Sequence, residues 1–302
     1  MSHSLIAVMG PTASGKSDLG IRLARELDGE VVNYDSVQIY RGFDVGSAKT
    51  PPGERQGVPH HLLDVRDAGE PFSAGEYARL GREVLGEIAA RGKTPVIVGG
   101  TGFYLRALLE GLFDGPSRDE ELRARLERKG AAHLHRLLAR LDPESAGRIH
   151  PHDEPKLVRA LEVRILEGQP LKRVLRRGVE PLTGFTVTKL LLDPPRDALY
   201  ARIERRTEAM FDAGLEQEVC DLLAAGAPRD AWAFGALGYR QALALVEGRM
   251  SREEAIADTA RSTRNYAKRQ LTWFRNQEPE ALRLPGFGGD ADIQRRALDL
   301  VQ

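Results

Sequence analysis

A phosphate-binding loop near the N-terminus constrains the fold more than any other feature of this sequence. Residues 10–17 read GPTASGKS, a complete Walker A sequence, between a short apolar segment at 5–9 and an amphipathic segment at 16–27. In such a loop, backbone N–H groups and a helix N-terminus face phosphate oxygens, a lysine adds positive charge, and a hydroxyl ligates Mg²⁺. We therefore predict that a phosphorylated compound binds here. The loop consists of Gly10, Pro11, Thr12, Ala13, Ser14, Gly15, Lys16 and Ser17, the last being the metal ligand.

The rest of the chain alternates between strand and helix patterns, which is typical of a parallel sheet covered by helices. Further strand patterns occupy residues 30–34, 94–98 and 186–192. Further helical patterns occupy residues 71–90, 197–225 and 251–276. Ser251 and Glu254 form a capping box that sets the start of the last helix. We predict an α/β protein with a P-loop NTPase-like parallel sheet and flanking helices.

A long stretch in the middle of the chain departs from this alternation. Residues 119–180 show only helical periodicity, interrupted at Asp142-Pro143 and at 151–155. We predict a helical insertion domain at 114–183, placed within a catalytic core formed by 1–113 and 184–302. The segment after Pro279 yields no prediction.

Composition excludes several classes of protein. The 302 residues carry no net charge, and no apolar run is long enough to cross a membrane. The N-terminus lacks the basic start and cleavage site of a secretory leader. The only cysteine, Cys220, cannot form an internal disulfide or a cysteine zinc cluster. We expect a cytoplasmic protein without a membrane partner.

Local charge points to a polyanionic partner although the net charge is zero. Residues 259–277 contain five Lys/Arg and no acid, and residues 118–177 contain 15 Lys/Arg against 10 Asp/Glu. Arg261, Arg264, Lys268 and Arg275 recur at helical spacing on one face, which favours RNA phosphates over a merely solvated face.

The loop alone does not identify the phosphorylated compound. A kinase or ATPase usually places an acid for Mg²⁺ at the end of a neighbouring strand. The strand at 94–98 runs instead into Gly99-Gly100, whereas Asp35 follows the strand at 30–34. The residues by themselves therefore predict a phosphate-transferring or diphosphate-releasing enzyme and leave the choice open.

Seven further stretches resemble the tRNA dimethylallyltransferase (tRNA isopentenyltransferase) family in its bacterial form. They are DSVQIY (35–40), GSAK (46–49), PHHL (59–62), GGTGFY (99–104), RALEV (159–163), GYRQ (238–241) and KRQLTWFR (268–275). The resemblance implies transfer of a dimethylallyl group from dimethylallyl diphosphate to N6 of the adenosine at position 37, in the anticodon stem-loop of tRNA. It also implies release of pyrophosphate and a requirement for Mg²⁺. We expect a monomer.

The same resemblance implies roles for individual residues. Asp35 resembles the general base that takes a proton from N6, and an ordinary aspartate is already ionised at neutral pH. Its alternative role is to cap the turn that follows. Thr101 resembles a residue near the reacting atoms, and Lys16 stabilises the leaving pyrophosphate. Arg202 and Arg206 lie four apart and either reach the pyrophosphate or pair with acids of their own helix.

The residues expected to contact tRNA are spread over the chain. Gln38 is suited to bidentate hydrogen bonds with an adenine edge. Tyr239 is expected in a loop, where it either stacks on a base or packs in the core. The family pattern has Asn-Asp followed later by an arginine, and this chain has His152-Asp153 and Lys156 in their place. Lysine keeps the positive charge of the arginine but lacks its bidentate guanidinium group. The full set is Asp35, Ser36, Val37, Gln38, Thr101, Arg123, Lys156, Leu157, Val158, Arg159, Gly238, Tyr239, Arg240, Arg264, Lys268, Arg269 and Arg275.

Three other functions compete with this one. An isopentenyltransferase acting on free AMP, ADP or ATP would need neither the helical insertion nor the basic last helix. A P-loop nucleotide kinase would transfer a phosphoryl group from ATP. A non-catalytic ATPase switch would bind RNA without modifying it. His60-His61 invites a metal-site reading, but adjacent side chains point in different directions, which favours a structural role.

Overall fold

The computed structural model describes residues 2–175 and 177–302, so that Met1 of the N-terminal segment and Arg176 of the insertion lie outside it. The chain divides into two compact units, one formed by Met1–Leu108 with Leu182–Gln302 and the other by Leu109–Pro181. These limits lie close to the predicted insertion at 114–183. Within the described residues, none of the helices combines the length and the apolar character needed to span a bilayer.

The larger unit is built on a six-stranded parallel sheet, which confirms the predicted fold class. The strands are β1 (His3–Met9), β2 (Gly29–Asn33), β3 (His60–His61), β4 (Thr94–Val98), β5 (Phe185–Leu192) and β6 (Leu282–Leu284). Their order across the sheet is β3-β2-β4-β1-β5-β6. The two edge strands are short, and the sequence pattern predicted neither of them. In the centre, Val8 aligns with Val98 on one side and with Leu190 on the other.

Thirteen helices are found in the described part of the chain. They are α1 (Lys16–Glu26), α2 (Ala74–Ala90), α3 (Gly102–Glu110), α4 (Glu120–Glu127), α5 (Ala131–Leu141), α6 (Pro143–Ala146), α7 (Glu154–Glu167), α8 (Leu171–Val174), α9 (Arg196–Asp212), α10 (Leu215–Ala224), α11 (Tyr239–Val246), α12 (Arg252–Gln277) and α13 (Ala291–Asp299). Short 3₁₀ turns occupy Pro52–Glu54 and Trp232–Gly235.

The prediction of one continuous helix at 197–225 is wrong. The pattern at 197–225 forms α9 and α10, which are separated because Gly214 adopts a left-handed backbone with φ of 95°. The predicted start of α12 is confirmed, since Ser251 and Glu254 form both hydrogen bonds of the capping box. Helix α12 buries Ala260, Ala267 and Phe274, which recur at intervals of seven residues.

The main core lies between the central strands and helices α1 and α13. Ile6, Val8, Leu19, Val96 and Leu190 belong to one buried apolar cluster. Strands β1, β2 and β4 are parallel neighbours, so that the loops leaving their carboxyl ends meet at one edge of the sheet. Those loops are the Walker A loop, the segment beginning at Asp35, and the Gly99-Gly100-Thr101 turn.

The smaller unit is entirely helical within its described residues. Helices α4 to α8 enclose a core that includes Leu134, Leu138, Leu157 and Leu161. The predicted break at Asp142-Pro143 is a helix start, because the Asp142 carboxylate accepts from Ser145 N at 3.2 Å and so caps α6.

Candidate active site

The Walker A loop joins β1 to α1 and lines a cavity of about 620 Å³. Gly15 caps α1 with φ of 84°, a backbone conformation that favours glycine. Thr12, Ala13, Gly15, Lys16 and Ser17 line the cavity. The other three loop residues, Gly10, Pro11 and Ser14, do not line the cavity. Ser14 is fully buried.

Two half-buried cations, Lys16 and Arg206, face this cavity. Burial lowers the pKa of Lys16 to about 7, against the opposing effect of the Asp35 charge. Burial also lowers the pKa of Arg206, whose guanidinium lies 3.5 Å from Thr12 Oγ1. Within the described residues, neither cation has a carboxylate at ion-pair distance. A bound phosphate would supply the missing negative charge.

Arg202 also lines the cavity, 3.7 Å from Asp18. The alternative, in which Arg202 or Arg206 pairs with Glu204 or Glu208, is wrong. Among the described residues neither arginine lies at ion-pair distance from these acids, and Glu204 binds Arg264 at 2.5 Å. Arg202 and Arg206 therefore line the phosphate cavity instead of pairing along their own helix.

Asp35 follows β2 and performs the turn-capping role that was its alternative. Its Oδ1 accepts from Val37 N at 2.9 Å and from Gln38 N at 3.5 Å. The carboxylate nevertheless lines the cavity, so that capping orients the group without removing it from the site. Thr101 lies beside it, with Oγ1 accepting from Ser36 N at 3.2 Å.

A second cavity, of about 370 Å³, meets the first at Asp35. The two cavities share Thr12, Ala13, Asp35, Ser47, Arg206 and Tyr266. The second is more apolar, with Val37, Ile203 and Met210 in its wall. The Asp35 carboxylate therefore lies where the two cavities meet and lines both of them.

Gln38 lines the phosphate-side cavity and does not line the second one. Its amide nitrogen donates to the carbonyl oxygens of Ser47 at 3.1 Å and of Ala48 at 3.4 Å. Because its N–H donors are already engaged, this arrangement does not support the bidentate adenine contact predicted for Gln38.

The segment at 238–241 is not the loop that was expected. Gly238 precedes α11 with φ of 90°, and Tyr239 is the first residue of that helix. Tyr239 is fully buried and donates to Glu218 Oε1 at 2.6 Å. A base-stacking role for Tyr239 is therefore wrong. Arg240 is exposed, 3.9 Å from Asp258.

The basic face of α12 is only partly free. Arg264 binds Glu204 at 2.5 Å, Arg275 binds Asp193 at 2.7 Å, and Arg261 pairs with Asp258. The expectation of a stripe without acidic partners is wrong for these three, since the acids come from outside residues 259–277. Lys268 and Arg269 are exposed and, among the residues the structure describes, have no carboxylate at ion-pair distance. Arg269 also lines the second cavity.

Some of the insertion residues expected to contact tRNA are paired or buried within the protein, and others are exposed. The fully buried Glu162 carboxylate binds Arg123 at 3.1 Å and Arg159 at 2.6 Å. The side chains of Leu157 and Val158 are buried in the helical core, so a contact through those side chains is wrong. Lys156 is exposed and paired with Asp153 at 2.6 Å.

The adjacent histidines of β3 make separate structural contacts. His61 Nε2 lies 2.6 Å from Glu30 Oε2, and His60 Nδ1 lies 2.9 Å from Val58 O. No cluster of three metal-ligating side chains occurs in residues 2–175 and 177–302.

Sequence reasoning missed two parts of the site. Trp232 is 60% exposed and lines the second cavity from the 3₁₀ turn at Trp232–Gly235. A single aromatic residue in an irregular segment gives no periodic signal. The loop at 285–289 contacts the Walker A loop, with Gly288 N donating to Ser14 O at 2.9 Å. The three glycines among the five residues of this loop were the only available hint.

The parallel sheet, the Walker A loop at its carboxyl edge and the cationic cavity define a P-loop protein. The model of the IPP transferase family matches residues 38–277. The chain belongs to the IPP transferase family.

Individual relatives agree over nearly the whole chain. The tRNA dimethylallyltransferase of Koribacter versatilis is 51% identical and covers 99% of this chain and 98% of its own length. That of Solibacter usitatus is 50% identical, with coverage of 98% and 97%.

Solved structures give the same result. The full-length tRNA isopentenylpyrophosphate transferase of Bacillus halodurans has a TM-score of 0.73 at 37% identity, covering 99% of this chain and 97% of that one. A eukaryotic dimethylallyltransferase acting on tRNA has a TM-score of 0.83 at 26% identity, covering 98% of this chain and 78% of that one.

Proposed function

We propose that this protein transfers a dimethylallyl group from dimethylallyl diphosphate to N6 of the adenosine at position 37 of tRNA and releases pyrophosphate. Membership of the IPP transferase family and the names of the relatives support this function. The observation that carries the mechanism is the position of Asp35, which lines both the cationic cavity and the more apolar cavity beside it. Two substrates can therefore meet at one carboxylate.

The donor occupies the cationic cavity, with its diphosphate against the Walker A loop. Lys16 and Arg206 line that cavity and have no carboxylate at ion-pair distance in the described chain. Negative charge develops on the oxygen that leaves. Preformed donors aimed at such developing charge lower the barrier because they need no reorganisation. As the bond between C1 and the diphosphate oxygen breaks, its electron pair stays with pyrophosphate.

The acceptor adenine occupies the second cavity. Its N6 lone pair is delocalised into the purine, so the nitrogen becomes a good nucleophile only as it loses a proton. Asp35 accepts that proton while N6 forms the new bond to C1. The hydrogen bond from Val37 N to Asp35 Oδ1 fixes the carboxylate and leaves Oδ2 to face the substrate.

Mg²⁺ fits this site as a cation held mainly by the substrate. It commonly keeps several waters and binds one or two protein oxygens together with substrate phosphates. Ser17 lines the phosphate cavity and is the residue that would hold the ion. When bound, Mg²⁺ would add positive charge beside the departing pyrophosphate.

For tRNA itself, we assign contacts to exposed residues. Lys268, Arg269, Arg240 and Lys156 present charge at the surface, and Trp232 offers an aromatic face beside the second cavity. Since both cavities are formed by one chain, we propose a monomer, and we place it in the cytoplasm with its tRNA substrate.

A labelled-donor assay tests the function. Dimethylallyl diphosphate labelled in the prenyl group is incubated with unmodified tRNA or with AMP, and the products are identified by mass spectrometry. We expect one C5 unit on the adenosine at position 37 of the tRNA. Label found only in AMP would overturn this in favour of an adenylate isopentenyltransferase, and phosphoryl transfer from ATP would indicate a kinase.

The role of Asp35 is tested by Asp35→Ala. We expect kcat to fall by about 10²- to 10⁴-fold, the range for loss of a general base, with tRNA binding nearly unchanged. Asp67→Ala is the matched control, because Asp67 is an exposed aspartate paired with Arg41. Near-normal turnover of Asp35→Ala would exclude this residue as the base.

A further inference from the structure

We propose that the loop at 285–289, hereafter the C-terminal loop, is a positioning element of the donor phosphate site and that Gly288 is the residue on which this role depends. The loop joins β6 to α13 and lies beyond residue 277, where the match to the family model ends. The inference extends the proposed function, because the phosphate site is taken to bind the diphosphate of the donor.

The first argument is a backbone contact that only glycine permits. Gly288 N donates to Ser14 O at 2.9 Å. A Cβ on Gly288 would lie 2.1 Å from Gly15 O and 2.9 Å from Leu19 Cβ. The C-terminal loop thus packs directly on the peptide backbone of the Walker A loop, at a distance that no other residue allows.

The contact controls the direction of a phosphate-binding group. Ser14 C=O and Gly15 N–H belong to one planar trans peptide, so they point in opposite directions. Holding the carbonyl toward Gly288 turns the Gly15 N–H away from the C-terminal loop. Gly15 lines the phosphate cavity, and amide groups at this point of a Walker A loop bind phosphate oxygens.

The C-terminal loop also contacts the guanidinium group of Arg202. Phe287 packs against the cluster formed by Ala13, Leu199, Ile203 and Ala267. The Arg202 guanidinium lies over the Phe287 ring at 5.0 Å, a cation–π contact that limits where the guanidinium can go. Since Arg202 lines the phosphate cavity, the C-terminal loop positions both an amide and a guanidinium there.

The C-terminal loop is itself braced. Gln294 Nε2 on α13 donates to Gly288 O at 2.9 Å, and Phe287 N donates to Asp290 Oδ2 at 3.0 Å. Gln294 also lines the phosphate cavity. Helix α13 therefore fixes the position of the C-terminal loop through Gln294.

Adjacent glycines provide the test. Gly288→Ala places a methyl group against backbone, whereas Gly289→Ala finds nothing nearer than Asp18 Oδ2 at 3.4 Å. We expect Gly288→Ala to weaken pyrophosphate binding, measured by calorimetry, and to raise the KM for the donor by about tenfold or more, because overpacked sites must shift. The dissociation constant for tRNA should stay unchanged. Gly289→Ala should stay within about twofold of wild type in all three.

Two results would overturn the proposal. One is unchanged pyrophosphate affinity in Gly288→Ala. The other is a parallel loss of tRNA and pyrophosphate binding together with a lower Tm, which would indicate general destabilisation. If Gly288→Ala does not fold, Gln294→Ala removes the brace without a clash, and it should weaken pyrophosphate binding and shift the Gly15 amide resonance. Unchanged values would then reject the proposal. Pyrophosphate binding is independent of prenyl transfer, so failure of the proposed function would not be mistaken for failure of this one.

Discussion

Two pairs of half-buried cations in this protein differ in where their counter-charge comes from. In the insertion, Arg123 and Arg159 share the carboxylate of Glu162, which is fully buried. In the core unit, Lys16 and Arg206 face a cavity without any carboxylate at ion-pair distance among the described residues. Withdrawing an unpaired charge from water costs free energy, and a ligand of opposite charge can recover it. The comparison teaches that a cation paired inside the fold is structural, whereas one left for a ligand to pair marks a binding site.

The largest expected effect comes from removing the internal counter-charge. Glu162→Gln leaves Arg123 and Arg159 unpaired at the edge of a helical core. Breaking a buried pair in this way costs about 3 kcal/mol or more. Thermal unfolding should show a lower Tm for Glu162→Gln, and pyrophosphate binding to the core unit should be unaffected. A variant with wild-type Tm would show that the pairing does not stabilise the insertion.

Removing a cation from the phosphate cavity should lower pyrophosphate affinity without lowering Tm, the opposite of the result expected for Glu162→Gln. Arg206→Ala deletes a charged donor from the phosphate cavity, and a hydrogen bond to a charged group contributes about 2 kcal/mol. Pyrophosphate affinity should fall roughly 30-fold while Tm stays the same or rises, since a desolvated charge has been removed. Arg206→Lys, which keeps charge but loses the fork, should be intermediate. A large drop in Tm with unchanged affinity would place Arg206 with the structural cations.

The pH dependence of binding sharpens the comparison further. Burial lowers the pKa of Lys16 to about 7 in the free protein, and a bound diphosphate raises that pKa again. Below pH 7 the ammonium is already present. Above pH 7 it must be regained on binding, so the affinity should weaken by up to about tenfold per pH unit. Calorimetry in buffers of different ionisation enthalpy should show proton uptake at pH 8, and Lys16→Arg should abolish it.

The smallest effect separates the cations of α12. Lys268→Ala and Arg269→Ala should each lower the slope of log affinity against log salt for tRNA by about 0.7 to 0.9, as expected for one lost phosphate contact. Arg264→Ala is the control, because Arg264 is paired with Glu204 at 2.5 Å. An Arg264 variant with the largest change in slope would reverse the assignment.

The sequence predicted the parts of this protein that local pattern determines. The Walker A loop, the central strands, the start of α12 and the approximate limits of the insertion follow from glycine spacing, apolar runs, a capping box and helical periodicity. Asp35 was predicted by the family resemblance and by its place after β2. The sequence pattern did not predict that Asp35 lines two cavities.

Long-range contacts explain the remainder. Tyr239 looked like a loop residue, yet its hydroxyl binds Glu218, which lies on another helix. Arg264 looked unpaired because Glu204 is 60 positions away in sequence. Edge strands such as β6, three residues long, contain too few positions for an alternating pattern to be recognised. Gly288 contacts a loop at the opposite end of the chain, where no local signal predicts a partner.

The placement of β1 at the centre of the sheet has a consequence for synthesis of the chain on the ribosome. The first strand pairs with β5 through His3 and Phe185, so the ribosome must add all of the insertion before this pairing is possible. The insertion is continuous in sequence, whereas the sheet is not. We therefore expect the helical unit to complete its own contacts first, while the edge of β1 that pairs with β5 stays unpaired until β5 emerges.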